Sequence, residues 1–113
     1  MKPSNHSTAQ VTMRVIQGKW RLPILRLLQD GPQRTGQLVR GLDGVAKNRL
    51  NENMRELLRM GIVTKRSSRG RIPRVEYFLT PCGASLTEAI QGLYDWGVRH
   101  GVQIPRRTGY AST

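Results

Sequence analysis

The sequence predicts a small α+β domain in which helices come first, a β-hairpin follows and a long helix closes the chain. Three observations carry that prediction. Apolar residues recur at spacings of three and four from residue 8 to residue 60, the helical period is lost between residues 62 and 79, where two strand-like runs flank a basic loop, and helical spacing returns from Leu86 onward. At 113 residues the chain can bury one modest core, and it is too short for two independent ones. We therefore expect an arm over residues 1–7, one domain over residues 8–101 and an unstructured tail over residues 102–113.

Residues 8–17 carry Val11, Val15 and Ile16 at helical spacing, with Met13 alongside, which reads as a short first helix ended by Gly18. A second helix starts around Lys19 and Trp20, with Pro23 tolerable because a first-turn residue needs no N–H. Its stripe of Trp20, Ile24, Leu27 and Leu28 is core-facing. Asp30, Gly31 and Pro32 form a stop signal, after which Thr35 is expected to cap a third helix that turns Leu38, Val39 and Leu42 inward.

Asp43 and Gly44 make the turn into the most informative stretch, residues 45–61. There Leu50, Met54, Leu57 and Leu58 share one face of a helix, while Asn48, Asn51, Glu52 and Arg55 share another. Two helices joined by a few residues that include glycine make a helix-turn-helix. Carboxamides and a guanidinium one turn apart suit base edges in a DNA major groove, Asn for adenine and Arg for guanine, so these four are the base-reading candidates. Lys47 and Arg49 at the helix start are placed for phosphates.

Residues 62–66 then read as a strand, residues 67–71 as a basic loop and residues 74–79 as a second strand, a hairpin that forms the wing of a winged helix-turn-helix. Arg66, Ser68, Arg69, Arg71 and Arg74 surround Gly70 and are the candidates for phosphate or minor-groove contact. Thr80 and Pro81 repeat the cap-then-proline start, and Leu86, Ala89, Ile90, Leu93 and Trp96 run as a stripe toward His100. So small a core cannot cover both this stripe and that of the first helix. A dimer interface built from Val11, Val15, Leu86, Ile90, Leu93 and Trp96 is therefore expected.

Composition points the same way. Nineteen Lys and Arg, fifteen of them Arg, face seven Asp and Glu for a formal net charge of +12, which suits a polyanion as partner. No apolar run approaches the roughly 18 residues of a membrane span and residues 1–10 lack the apolar middle of a secretory signal, so a cytoplasmic protein without membrane contact is expected. A single cysteine, Cys82, leaves no disulfide and no Cys and His cluster for metal. No cofactor is implied, and without paired carboxylates or a phosphate loop no enzyme is expected.

The run Gly18-Lys19-Trp20, then Ile24 to Leu28, Asp30-Gly31-Pro32, Arg55-Glu56-Leu57, Pro73-Arg74-Val75-Glu76-Tyr77, Leu79-Thr80 and Gly83 resembles the HxlR-type winged-helix transcriptional regulators over residues 8–100. The resemblance implies a homodimer paired through its first and last helices on an inverted-repeat operator. Carried over, its recognition positions fall on Lys47, Asn48, Asn51, Glu52 and Arg55, and its wing tip on residues 68–71. Three positions depart from the family pattern. Ala46 replaces a capping Ser or Thr, which loosens the helix start by about 1 kcal/mol unless Asp43 or water caps it. Thr35-Gly36-Gln37 replaces Phe-Asn-Glu under the short helix. Ser7 stands where related regulators carry a reactive cysteine, which leaves Cys82, expected in the first turn of the last helix, as the only candidate thiol switch. A small-molecule effector is compatible with the sequence and is not identified by it. The competing reading is an architectural nucleic-acid binder, because charge alone supplies sequence-independent affinity.

Overall fold

Why the chain turns where it does is set by a few glycines and by which helical residues can be buried together. The computed structural model describes residues 5–101. The first helix, α1, spans Asn5–Val15 and begins three residues before the expected Thr8. Residues 1–4 and the tail from residue 102, with Arg106 and Arg107, lie outside the described residues. Only the end of α1 joins the core: Ile16 just beyond it is buried and Val15 packs on the same cluster, whereas Val11 and Met13 face outward.

Gly18 takes a positive φ of 98° and reverses the chain into α2 (Arg21–Gln29). Pro23 is the third residue of that helix, as its missing N–H requires. Ile24, Leu25 and Leu28 are buried, so the inward stripe includes Leu25, while Trp20 and Leu27 pack only partly against it. A two-residue strand not expected from the sequence follows, β1 (Gln33–Arg34).

The third helix, α3, covers Thr35–Gly41, and Thr35 does not cap it. The Arg34 N–H instead donates to Gln37 Oε1 at 2.8 Å, so the glutamine side chain closes the turn. Leu38 and Leu42 are buried but Val39 is exposed, which corrects the expected inward trio. A Cβ on Gly41 would collide with the side chain of Leu27, and this glycine lets α3 lie close on α2.

The fourth helix, α4, covers Lys47–Arg59 and starts from Ala46 with no side-chain cap, so Asp43 does not supply one. Leu50, Met54 and Leu57 are buried beneath it. The strands β2 (Val63–Ser67) and β3 (Val75–Leu79) pair antiparallel with Val63 opposite Leu79 and Ser67 opposite Val75. β1 adds to the other edge of β3, giving the order β1-β3-β2.

The last helix, α5, covers Pro81–His100. Thr80 caps it by accepting the Gly83 N–H at 3.0 Å, and the same hydroxyl reaches the carbonyls of Gly61 and Ile62. The Thr80 N–H also donates to the Ile62 carbonyl, at 3.1 Å. A Cβ on Gly83 would fall inside contact distance of that carbonyl oxygen, so only glycine lets the helix sit this close to the end of α4. Ile90 lies in the core of its own chain, which corrects its place among the expected interface residues. Leu86 packs partly on that core, whereas Leu93 and Trp96 are exposed.

Gly83→Ala should therefore lower stability by roughly 2 kcal/mol through overpacking against backbone. Gly36→Ala, whose Cβ meets only the mobile end of Arg40, should be neutral or mildly stabilising. Thermal melts check the pair: a domain of this size loses about 4–8 °C per kcal/mol. Equal midpoints for the two variants would refute the close-approach argument.

Candidate nucleic-acid interface

The polar side of α4 is a continuous exposed strip. Asn48, Asn51 and Arg55 are all exposed, and none has a hydrogen-bond or ion-pair partner among the described residues. Successive positions turn by roughly 100°, so these three side chains project within one narrow sector. Arg59 continues the same line another turn on, with its guanidinium 3.8 Å from Glu56. Sequence reasoning missed Arg59, although its spacing of four from Arg55 carried the signal. Glu52 borders the strip and is held by Arg49 at 3.3 Å.

What fixes the roll of α4 is a residue the sequence reading did not single out. Arg21, at the start of α2, is 7% exposed. Its Nε donates to Asn53 Oδ1 at 2.8 Å and its Nη1 to the Val15 carbonyl at 2.9 Å, while Nη2 lies 3.4 Å from Glu56 Oε2. Asn53 in turn donates from Nδ2 to the Arg49 carbonyl at 2.8 Å. The third asparagine of the helix is thus a structural clamp, in contrast to the free Asn48 and Asn51. One guanidinium joins the end of α1, the start of α2 and the flank of α4.

The hairpin divides its arginines in a similar way. Arg66 Nε lies 3.4 Å from Glu76 Oε1 and its guanidinium carbon stands 5.2 Å over the Phe78 ring, so Arg66 is spent on the hairpin itself. Ser68 and Arg74 close the loop: the Ser68 N–H donates to the Arg74 carbonyl at 2.8 Å and the Arg74 N–H to Ser68 Oγ at 3.2 Å. Arg69 and Arg71 project from the tip around Gly70, whose φ is 153°. Ile72 beside them is 78% exposed, an apolar tip residue the sequence reading passed over.

Between Lys47 and Glu76 the chain carries nine Lys and Arg against three Glu, so half of its net positive charge belongs to α4 and the wing. Cys82 is exposed in the first turn of α5. Among the described residues no group of His, Cys, Asp and Glu could hold a metal ion, and no helix is long and apolar enough to cross a membrane.

A helix-turn-helix backed by a winged hairpin, with a basic polar face on the second helix, defines a winged-helix protein of the DNA-binding type. The chain belongs to the HxlR-like helix-turn-helix family, whose model matches residues 15–105, and is a transcriptional regulator of that type. It is 38% identical over 88 residues to the uncharacterized HTH-type transcriptional regulator YkvN of Bacillus subtilis, a match covering 78% of this chain and 75% of that protein. Its fold superposes with a TM-score of 0.85 on a protein of Enterococcus faecalis V583 assigned as a MarR-family transcriptional regulator, at 34% identity over 91% of this chain and 94% of that one. The redox regulator HypR in its reduced form superposes with a TM-score of 0.77 at 29% identity, over 82% of this chain and 92% of that one.

Replacing Arg21 by Met keeps much of the volume but leaves the Val15 carbonyl and Asn53 without their donor. Because Glu56 is half exposed, the expected loss is roughly 2 kcal/mol rather than the larger cost of a wholly buried pair. Urea unfolding at fixed protein concentration measures it. A midpoint equal to wild type would mean that the roll of α4 is set elsewhere.

Proposed function

We propose that this protein binds double-stranded DNA sequence-specifically in the cytoplasm, as a homodimer on an inverted-repeat operator. The observation that carries the reading is the set of exposed side chains Asn48, Asn51 and Arg55, without partners among the described residues, on a helix clamped from beneath by Leu50 and Leu57 and from the side by Arg21. Carboxamides are poor phosphate ligands and good bidentate partners for adenine, so a merely charge-driven binder has no use for two of them in this sector. Arg55 supplies the guanine-reading fork, and Lys47, Arg69, Arg71 and Arg74 supply backbone or minor-groove contact from either end.

Dimerisation is supported by large apolar side chains left uncovered on two helices. Val11 and Met13 on α1 are 60% and 52% exposed, and Leu93, Trp96 and Val98 on α5 are 58%, 49% and 83% exposed. Patches of this size on a small domain ask for a cover, and a second copy covers them while presenting a second α4 at the spacing of an operator half-site. Val15 and Leu86 contribute at the margin, where the stripe passes from core to interface.

DNA selected from a random pool by the purified protein supplies the operator. On it, Asn51→Ala should cost about 1–3 kcal/mol while binding to random DNA barely changes. Arg71→Ala should weaken both and flatten the salt dependence by about one unit. Equal losses for Asn51→Ala on both DNAs would favour an architectural binder. Separately, light scattering at micromolar concentration should give twice the chain mass for wild type. Leu93→Asp should reduce that mass to a single chain, because it places an unpaired charge in the interface; a monomeric wild type refutes the dimer.

A further inference from the structure

Beside the reading strip, between α4 and the turn that joins α1 to α2, lies a cleft of about 500 Å³. Lys19, Trp20 and Arg21 form one wall, and Arg49, Glu52 and Glu56 belong to the other. Its carboxylates are already matched. Glu56 is within 3.4 Å of Arg21 and 3.8 Å of Arg59, and Glu52 is within 3.3 Å of Arg49. Lys19 has no carboxylate partner among the described residues; its ammonium stands 5.0 Å over the ring of Trp20, a half-buried side chain that packs against the core. The ammonium is thus held at the mouth of the cleft by an aromatic platform, with its charge unspent.

The width of a major groove decides what meets that charge. An α-helix with its side chains is roughly 10–12 Å across and the groove is about 12 Å wide, so a helix reading bases along one sector turns its two flanks toward the two sugar-phosphate backbones. Taking Arg55 as the middle of the sector, Lys47 stands roughly 80° to one side and Arg49 roughly 120° to the other. Lys19 faces Arg49 across the cleft, on the same flank. The backbone on that flank must therefore pass the mouth of the cleft.

We propose that the cleft between Lys19 and Arg49 receives a DNA backbone phosphate, which makes the turn between α1 and α2 a DNA-contacting element in addition to the recognition helix and the wing. The proposal rests on the DNA-binding reading above. Arg49 is free to take part: its pair with Glu52 is formed by side chains 62% and 61% exposed, which makes it weak and readily exchanged for a phosphate oxygen. Lys19 suits the role as a point charge that needs no particular fork geometry.

The test uses the full chain, DNA selected by the protein from a random pool, and Lys19→Gln, which removes the charge and keeps the reach. The plot of log K against log salt should flatten by about 0.9, the value of one phosphate contact, on selected and random DNA alike. Methylphosphonate substitution, phosphate by phosphate, should reveal a flanking position whose neutralisation weakens wild type several-fold and leaves Lys19→Gln unaffected. An unchanged salt slope, or sensitivity to every phosphate identical to wild type, overturns the proposal. Weaker binding with an unchanged slope and a lowered melting temperature also overturns it, since Lys19 would then act by holding Trp20. Wild type that shows no salt-dependent DNA binding at all would overturn the DNA-binding reading itself, a failure seen before any variant is made.

Discussion

The buried guanidinium of Arg21 is the constraint on which the working geometry depends. A charge 7% exposed is costly unless it is well hydrogen-bonded, and here each of the three nitrogens has an acceptor: an amide oxygen for Nε, a carbonyl for Nη1 and a carboxylate for Nη2. Neutral acceptors supply two of the three contacts, and the carboxylate of Glu56 keeps half its surface in water, so the desolvation of a full ion pair is avoided. The gain is geometric rather than energetic. Leucines beneath a helix fix its distance from the core but tolerate rotation about its axis; directional bonds at one flank do not. With Asn53 and Glu56 held, the sector occupied by Asn48, Asn51 and Arg55 is set before any ligand arrives, which is where preorganisation enters the binding free energy.

A second joint sets the other end of the molecule. The hydroxyl of Thr80 serves at once the N-terminus of α5 and the carbonyls of Gly61 and Ile62 in the turn just after α4, and Gly83 permits the approach that makes this reach possible. The recognition helix therefore ends on the helix that carries the exposed apolar stripe. Arg21 makes a corresponding link along the flank of α4, because its bonds to Asn53 and to the Val15 carbonyl tie the middle of α4 to the end of α1. The two helices with uncovered apolar residues are each one hydrogen-bonded step from α4, so the spacing of two reading strips in a dimer would follow from short, rigid connections rather than from loops.

Most of the fold was legible because it is periodic. Leu50, Met54 and Leu57 repeat at helical spacing, Thr80 and Pro81 announce a helix start, and the wing shows as two strand-like runs either side of a basic loop containing Gly70, all of them local signals. What escaped depends on partners far away in the chain. The strand Gln33–Arg34 is too short to show a period and exists because Tyr77 and Glu76 lie opposite it. Arg21 meets Asn53 and Glu56 at separations of 32 and 35 residues, and nothing local marks a surface-type residue for burial. Leu25 was lost because a helix packed by both α3 and α5 buries more than one narrow stripe, and Ile90 was misplaced because one periodic stripe on α5 serves the core in its first half and solvent in its second. Of the candidate site, the strip of Asn48, Asn51 and Arg55 was readable from spacing alone, whereas the engagement of Glu52 and Arg66 with neighbouring charges was not.

If the surface reads DNA as proposed, those engagements account for how it can be both strongly basic and selective. Three glutamates stand among the nine cations between Lys47 and Glu76, too few to cancel the field that draws in DNA. Each is instead paired: Glu52 with Arg49, Glu56 with Arg21 and Arg59, Glu76 with Arg66. The solvent-exposed pairs among these, Arg49 with Glu52, Arg59 with Glu56 and Arg66 with Glu76, contribute little to stability, so their value lies in direction. They hold long, rotamer-rich side chains near the orientation they need and reduce the ordering cost on binding. The six left without a carboxylate partner among the described residues, Lys47, Arg55, Lys65, Arg69, Arg71 and Arg74, keep their charge available, and Asn48 and Asn51 lie beside Arg55 on the sector where hydrogen bonding rather than charge would distinguish one base pair from another. On the proposed DNA-binding reading, selectivity in such a surface would come from where the acids have removed freedom, not from how much positive charge remains.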